Sequence, residues 1–274
     1  MSNAFDEPQD RQGQRGIQSV EVGGQLLRAL AHHGRAMPLK DLAREAGMAP
    51  AKAHPYLVSF GKIGLVAQDA DSGRYGLGPL ALQLGLMSLQ QVDPVREAAP
   101  LLPALALRIG HTVALAVWGN RGATIVMIEE SPAAVHVNMR RGTVFSIADT
   151  ASGRLFAAWR PVDEVRALYT AERKQRPTSA DGTPLPAWAD FARELDEVRR
   201  QGLARTDSSV VPGVGAMSAP VFDHRGELVL AITSIGPSAA FDTRWDGPVG
   251  QALRDAAQAV SLRLGHRPAP AGGG

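Results

Sequence analysis

Cysteine is absent from the 274-residue sequence, which excludes disulfides, thiolate metal sites and a cysteine redox switch and fits a cytoplasmic protein. Also missing is any apolar run near the roughly 18 residues that a membrane helix needs. The longest candidate, Pro79 to Leu89, is broken by Gln83 and stops early, so no membrane partner is expected. The stretch Met1 to Gly16 carries Asp6, Glu7, Asp10, Arg11 and Arg15 and no hydrophobic segment, and is expected to be a solvated tail rather than a secretory signal. Catalytic signatures are lacking as well. The histidines, the His32-His33 pair included, show no HExxH or other ligand spacing. Ser152 sits in TASGR without the glycine that precedes the serine of a nucleophile elbow, and no paired histidine and acid accompany it. Gly213-Val214-Gly215 does not follow a strand and open a long helix, so a dinucleotide site is not expected. The reading is of a protein that is not an enzyme and uses no metal or cofactor.

What is present is an ordinary globular composition, 45% hydrophobic and 20% charged residues, over a length suited to two unequal domains. The formal net charge of +2 says little about nucleic acid, but its distribution says more. From Arg28 to Lys62 the basic residues Arg28, Arg35, Lys40, Arg44, Lys52 and Lys62 outnumber the acidic Asp41 and Glu45.

That basic segment has the periodicity of three short helices. Ser19 to His33 opens on a plausible N-cap, carries Val20, Leu27 and Leu30 on or near one face, and stops at Gly34. Leu39 to Ala46 follows Pro38 and repeats Leu39, Leu42, Ala43 and Ala46 at the helical period. A third helix opens near Pro50 with Ala53, Leu57 and Phe60 on one face and Lys52, Pro55, Tyr56 and Ser59 toward another. Leu65 to Gln68 and Arg74 to Leu77 read as strands of a hairpin. Three helices and a hairpin make a winged helix-turn-helix. Within Leu39 to Val58, LKDLAREAGMAPAKAHPYLV, Ala43 allows close packing of the second helix on the third, and Gly47 supplies the sharp turn between them.

Pro79 to Gln91 is predicted to be a linker helix, Asp93-Pro94 a break, and Val95 to Ile109 one continuous helix. Thr112 to Trp118, Ala123 to Glu129, Val135 to Met139, Met217 to Phe222 and Leu228 to Ile235 read as strands of a mostly antiparallel sheet. Ser152 to Trp159, Val162 to Ala171, Trp188 to Gln201 and Val249 to Leu264 read as helices around it, giving an α+β second domain. The expected division is a disordered tail over 1–16, the winged helix-turn-helix over 17–78, the linker helix over 79–92, the larger domain over 93–266 and a second tail over 267–274.

From about Gln18 to Gly265 the sequence resembles the IclR-type family of transcription regulators. The resemblance is carried by SVEVGGQLLRAL, the helix-turn-helix window, GKIGLVAQDADSGRYGLGP, NMRRGTVFSIADTASGRLFAAW, QGLARTDSSVVPGVGAMSAPVFDHRGEL and AITSIGP, in that order. It implies a double-stranded DNA operator as partner, a GAF-like effector-binding domain, a homodimer or dimer of dimers, and control of nearby catabolic genes. Pro55 stands where the family's recognition helix commonly has arginine after its histidine, which removes a backbone donor and predicts contacts shifted to Lys52, His54, Tyr56 and Ser59, with Arg74 on the wing.

In the second domain the resemblance implies an effector pocket built from the loop of Asp149, Thr150, Ala151, Ser152 and Gly153, with Asp207, Ala216, Met217, Thr233, Ser234 and Ile235. Asp149, Asp207, Thr233 and Ser234 are its expected polar anchors. Some members of the family have cysteine in place of Ala216 and serines in place of Thr233 and Ile235, so the more apolar site here implies a less polar organic acid, aromatic for choice, over a small keto acid. A small-molecule-binding module whose degenerate helix-turn-helix serves protein contacts is the different-class alternative, and Pro55 is its motive.

Overall fold

The structure is a computed structural model that describes residues 16–120, 122–131, 140–179, 182–207 and 212–267, with only the backbone of Asp207. Both expected tails fall largely outside these residues, and the expected strand Val135 to Met139 does so entirely. The chain forms two compact units, one ending at Val92 and the other running on from Asp93.

The first unit opens with α1 (Gln18–His33), α2 (Leu39–Glu45) and α3 (Pro50–Lys62). Leu26, Leu30, Leu42, Ala43, Ala53 and Leu57 form its core, each at most 2% exposed. The turn between α2 and α3 needs Gly47 at φ +68°, a left-handed conformation that side chains resist. Met48 N–H then donates back to Ala43 at 2.9 Å, closing the corner. Strands β1 (Val66–Gln68) and β2 (Tyr75–Leu77) pair antiparallel as the wing, and Tyr75 also exchanges backbone hydrogen bonds with Met37 at 2.8 and 2.9 Å. Helix α4 (Pro79–Gln91) completes the unit; none of its residues is buried, and Leu82, Leu84, Leu86, Met87 and Leu89 are exposed.

The second unit starts with α5 (Pro94–Ala98), a 3-10 turn over Ala99–Leu101, and α6 (Leu102–Ile109). The single helix expected over Val95 to Ile109 is thus interrupted, because Pro100 and Pro103 lack the N–H groups that would continue the ladder. Among the described residues five antiparallel strands follow, β3 (Thr112–Gly119), β4 (Gly122–Glu129), β5 (Ala204–Asp207), β6 (Val214–Phe222) and β7 (Leu228–Pro237), in the order β4-β3-β7-β6-β5. Between β4 and β5 the chain forms α7 (Ala151–Trp159), α8 (Val162–Gln175) and α9 (Trp188–Gln201), and α10 (Pro248–Arg263) closes it.

Residues opposite one another in an antiparallel pair share a face. Ala216 opposes Ile235 and Ser218 opposes Thr233, so these four belong to one face, which α7 covers. Met217 and Ser234 oppose each other on the reverse face, where α10 packs. One core cluster lies under α7, α8 and α9 and includes Leu155, Phe156, Phe191 and Tyr169. Tyr169 stacks on Phe191 with ring centroids 4.1 Å apart and donates its hydroxyl to Pro186 O at 2.8 Å. Burial pushes its phenol up to about 12.

Candidate functional site

The helix-turn-helix corner leaves α3 with one face in the core and the other in solvent. Ala53 and Leu57 are buried, while Lys52, His54, Pro55 and Ser59 are exposed. Pro55 has no N–H for the carbonyl of Ala51, yet α3 runs through it without a break, and Ser59 Oγ donates to Pro55 O at 2.9 Å. The Ser59 proton is therefore committed, which leaves its oxygen as acceptor. Tyr56 differs from its neighbours: half-buried, it packs on the core against Gly23 of α1, so its ring is shared between structure and surface. Arg74 is exposed on the wing, whose tip is held by Asp69 Oδ1 accepting from Ser72 N and Oγ at 2.8 and 2.6 Å.

In the second unit a cavity of about 1030 Å³ opens between α7, α8 and the covered face of the sheet. Its walls are largely apolar, with Trp118, Val144, Phe145, Leu168, Ala216 and Ile235. Asp149, Thr150, Ala151 and Ser152 line it as expected sequence neighbours, and Thr233 and Ile235 join them from β7. Gly153, Met217 and Ser234, expected in the pocket, do not line it. Gly153 lies one helical step further in, where its N–H is capped by Thr150 Oγ1 at 2.9 Å. Met217 and Ser234 are on the reverse face of the sheet, fully buried, the first against Gly250 of α10 and the second donating to Thr112 O at 3.4 Å. The Asp207 side chain lies outside the described residues; its strand neighbour Thr206 lines the cavity.

The loop before α7 is held from two sides. Ser146 Oγ accepts from Ala148 N and Asp149 N at 3.1 and 3.3 Å, and Thr150 Oγ1 donates to Ser146 O at 2.6 Å. From α8, Glu172 Oε2 accepts from Ile147 N at 3.1 Å. Arg176 Nη1 donates to Asp149 Oδ2 at 2.6 Å, and its Nη2 to Ser146 Oγ at 3.1 Å and Glu172 Oε1 at 3.2 Å. Asp149 is 1% exposed, a burial that a carboxylate tolerates when a guanidinium meets it. The bond to Asp149, more than any other influence, raises the Arg176 guanidinium above its ordinary value.

Ser146, Glu172, Arg176 and Thr206 were not among the expected site residues. Glu172 and Arg176 stand at i and i+4, the commonest spacing of a solvated helix pair, and nothing local to them points to Asp149.

Arginine is unevenly available around the cavity. Arg176 is engaged by two carboxylates, and Arg154 donates Nε to Ala148 O at 2.9 Å and faces Glu194 at 3.5 Å. Arg154 lines a second, smaller cavity of about 440 Å³ instead. Arg140 is exposed and lines the larger one. Among the described residues no group of three or more histidines and carboxylates could hold a metal ion, and no helix is long and apolar enough to cross a membrane.

Two family models match the chain, the IclR helix-turn-helix domain over residues 19–70 and the bacterial transcriptional regulator IclR C-terminal domain over residues 86–262. The glycerol operon regulatory protein of Streptomyces coelicolor is 32% identical over 253 residues, 92% of this chain and 98% of that protein. The HTH-type transcriptional regulator KdgR of Escherichia coli is 25% identical over 89% of this chain and 92% of its own. Among solved structures, HmgR of Pseudomonas aeruginosa superposes with a TM-score of 0.84 at 36% identity, covering 91% of this chain and 99% of that one. With a matching model over well more than half of its length, a helix-turn-helix in the matching place and regulators on every side, this chain belongs to the IclR family of DNA-binding transcription regulators.

Proposed function

We propose that this regulator binds a small organic acid with an apolar, ring-sized body in the larger cavity, and that occupancy sets its affinity for an operator. The carrying observation is the cavity itself: about 1030 Å³, at the upper end of the range of small-molecule sites, with Trp118, Val144, Phe145, Leu168, Ala216 and Ile235 as an apolar wall and polar and charged side chains, Glu172 and Arg176 among them, lining the rest. Asp149, Thr150, Ser152, Thr233 and Thr206 are among its polar points, with Asp207 a further anchor carried by the family resemblance. A carboxylate is met by Arg140, because Arg176 is already neutralised by Asp149 and Glu172.

On the DNA side, Lys52, His54, Ser59 and Arg74 are the contacts, with Lys52 and Arg74 on phosphate. The uninterrupted α3 supports this assignment despite Pro55. The regulator works as a homodimer or a dimer of dimers in the cytoplasm, with the exposed leucines of α4 as contact surface, since one helix-turn-helix covers one half-site and paired modules read the whole. Regulation, without catalysis, is its activity.

A thermal-shift screen over organic acids tests the reading, because a ligand that binds only the folded chain raises its melting temperature by mass action. An aromatic acid that stabilises the parent more than Ala216→Trp, whose indole intrudes on the cavity wall, is the expected result. Stabilisation only by small keto acids, or by none of the set, contradicts it.

A further inference from the structure

A chain of three hydroxyls runs from the floor of the larger cavity into the sheet beneath it. Ser218, Thr233 and Ser152 are 0%, 1% and 1% exposed. Thr233 Oγ1 lies 2.8 Å from Ser218 Oγ on the neighbouring strand and 2.8 Å from Ser152 Oγ on α7. Each hydroxyl has one proton to donate, and a buried donor without an acceptor is strongly disfavoured. Among the described residues Thr233 is the one hydrogen-bond partner of the Ser218 side chain, so Ser218 donates to Thr233. Thr233 in turn donates to Ser152. Ser152 accepts that proton and keeps its own for the cavity it lines. Ser218 does not line the cavity; it sets the direction of the chain from below.

We propose that this chain makes the cavity floor a hydrogen-bond donor: Ser152 offers its proton to an acceptor oxygen of the effector, a carboxylate or carbonyl, and Ser218 is the positioning residue that fixes the direction of donation. The proposal rests on the cavity being the effector site. A ligand group that can only donate reaches a lone pair of Ser152 but leaves the Ser152 proton without an acceptor. Reversing the chain to accommodate it strands the Ser218 proton instead.

Neutral matched probes separate this bond from the charge of Arg140. Acetophenone and α-methylstyrene share a shape and differ in a carbonyl oxygen replaced by a methylene. Ligand-observed NMR on the full chain measures both, with Ala216→Trp, which crowds one wall, as a control for binding in the cavity. The parent is expected to prefer acetophenone by about tenfold, the worth of a good hydrogen bond to a buried group. In Ser218→Ala the ratio falls to about threefold or less, and Ser218→Thr restores it. Ser152→Ala, which removes the donated proton itself, gives the same loss and carries the test if Ser218→Ala does not fold. The ratio of the two affinities is the informative readout, because a general loosening of the fold weakens both probes alike. A ratio unchanged in the folded variants, while Ala216→Trp weakens both probes, overturns the chain of donation alone. Probe binding that is absent from the parent overturns the cavity as effector site and the proposal with it.

Discussion

Gly153 shows how tightly single residues are specified around the cavity. A Cβ at this position would land on the carbonyl oxygen of Ser146 and crowd Thr150 Oγ1, two atoms that hydrogen-bond to each other and start α7. Gly153→Ala is expected to destabilise the chain by about 1–3 kcal/mol, the usual cost of forcing a methyl into a filled space, as read by urea denaturation. Tyr169 offers a pH-dependent counterpart. Its phenol is raised to about 12 by burial, whereas an unfolded tyrosine ionises near 10. From about pH 10 upward the unfolded chain therefore binds fewer protons than the folded one, and stability falls until the folded group also ionises. Urea midpoints across pH 9 to 12 are expected to decline more steeply in the parent than in Tyr169→Phe, which also loses about 1 kcal/mol at neutral pH with its bond to Pro186. Parallel declines would remove Tyr169 as the cause. At this scale the sequence was legible where a residue acts on its chain neighbours, as Gly47 and Thr150 do. It was illegible where partners are distant: Arg176 reaches Asp149 across 27 positions, and Met217 and Ser234 left the expected pocket because one step along a strand reverses the face.

Among the elements, α3 and α4 carry the testable weight. Lys52 on α3 and Arg74 on the wing are exposed and flank the surface that the helix-turn-helix turns to solvent. Lys52→Ala and Arg74→Ala are each expected to weaken operator binding and lower the logarithmic salt slope by about 0.9, one phosphate contact apiece; parent-like binding across a salt titration would remove both assignments. Helix α4 buries none of its own leucines. Replacing Leu84 and Met87 with glutamate is expected to shift light scattering toward the 29.0 kDa monomer, since charge at a shared apolar contact is costly to bury; an unchanged assembly would place the contact elsewhere. Leu80 of the same helix is half-buried beside Gly64 and serves its own unit. The winged helix, α4 and most of the sheet were readable because their apolar spacing is strong. The interrupted helix over 94–109 and the strand β5 were not: prolines at 100 and 103 sit inside a good helical period, and Ala204-Arg205-Thr206-Asp207 has too little apolar alternation to signal a strand.

For the whole molecule the proposed function predicts coupling: DNA binding by one unit and ligand binding by the effector domain each change the other's equilibrium. Coupling of this kind is a difference in free energy between bound states and is reciprocal, typically 5- to 150-fold in affinity. Fluorescence anisotropy on the DNA upstream of its own gene, with and without the acid that raises its melting temperature, measures it directly. The expected result is binding at least about a thousandfold tighter than to unrelated DNA at physiological salt, moved at least about fivefold by the acid in the parent and moved less in Ala216→Trp. Operator affinity that stays the same when the cavity is shown to be occupied would contradict the account.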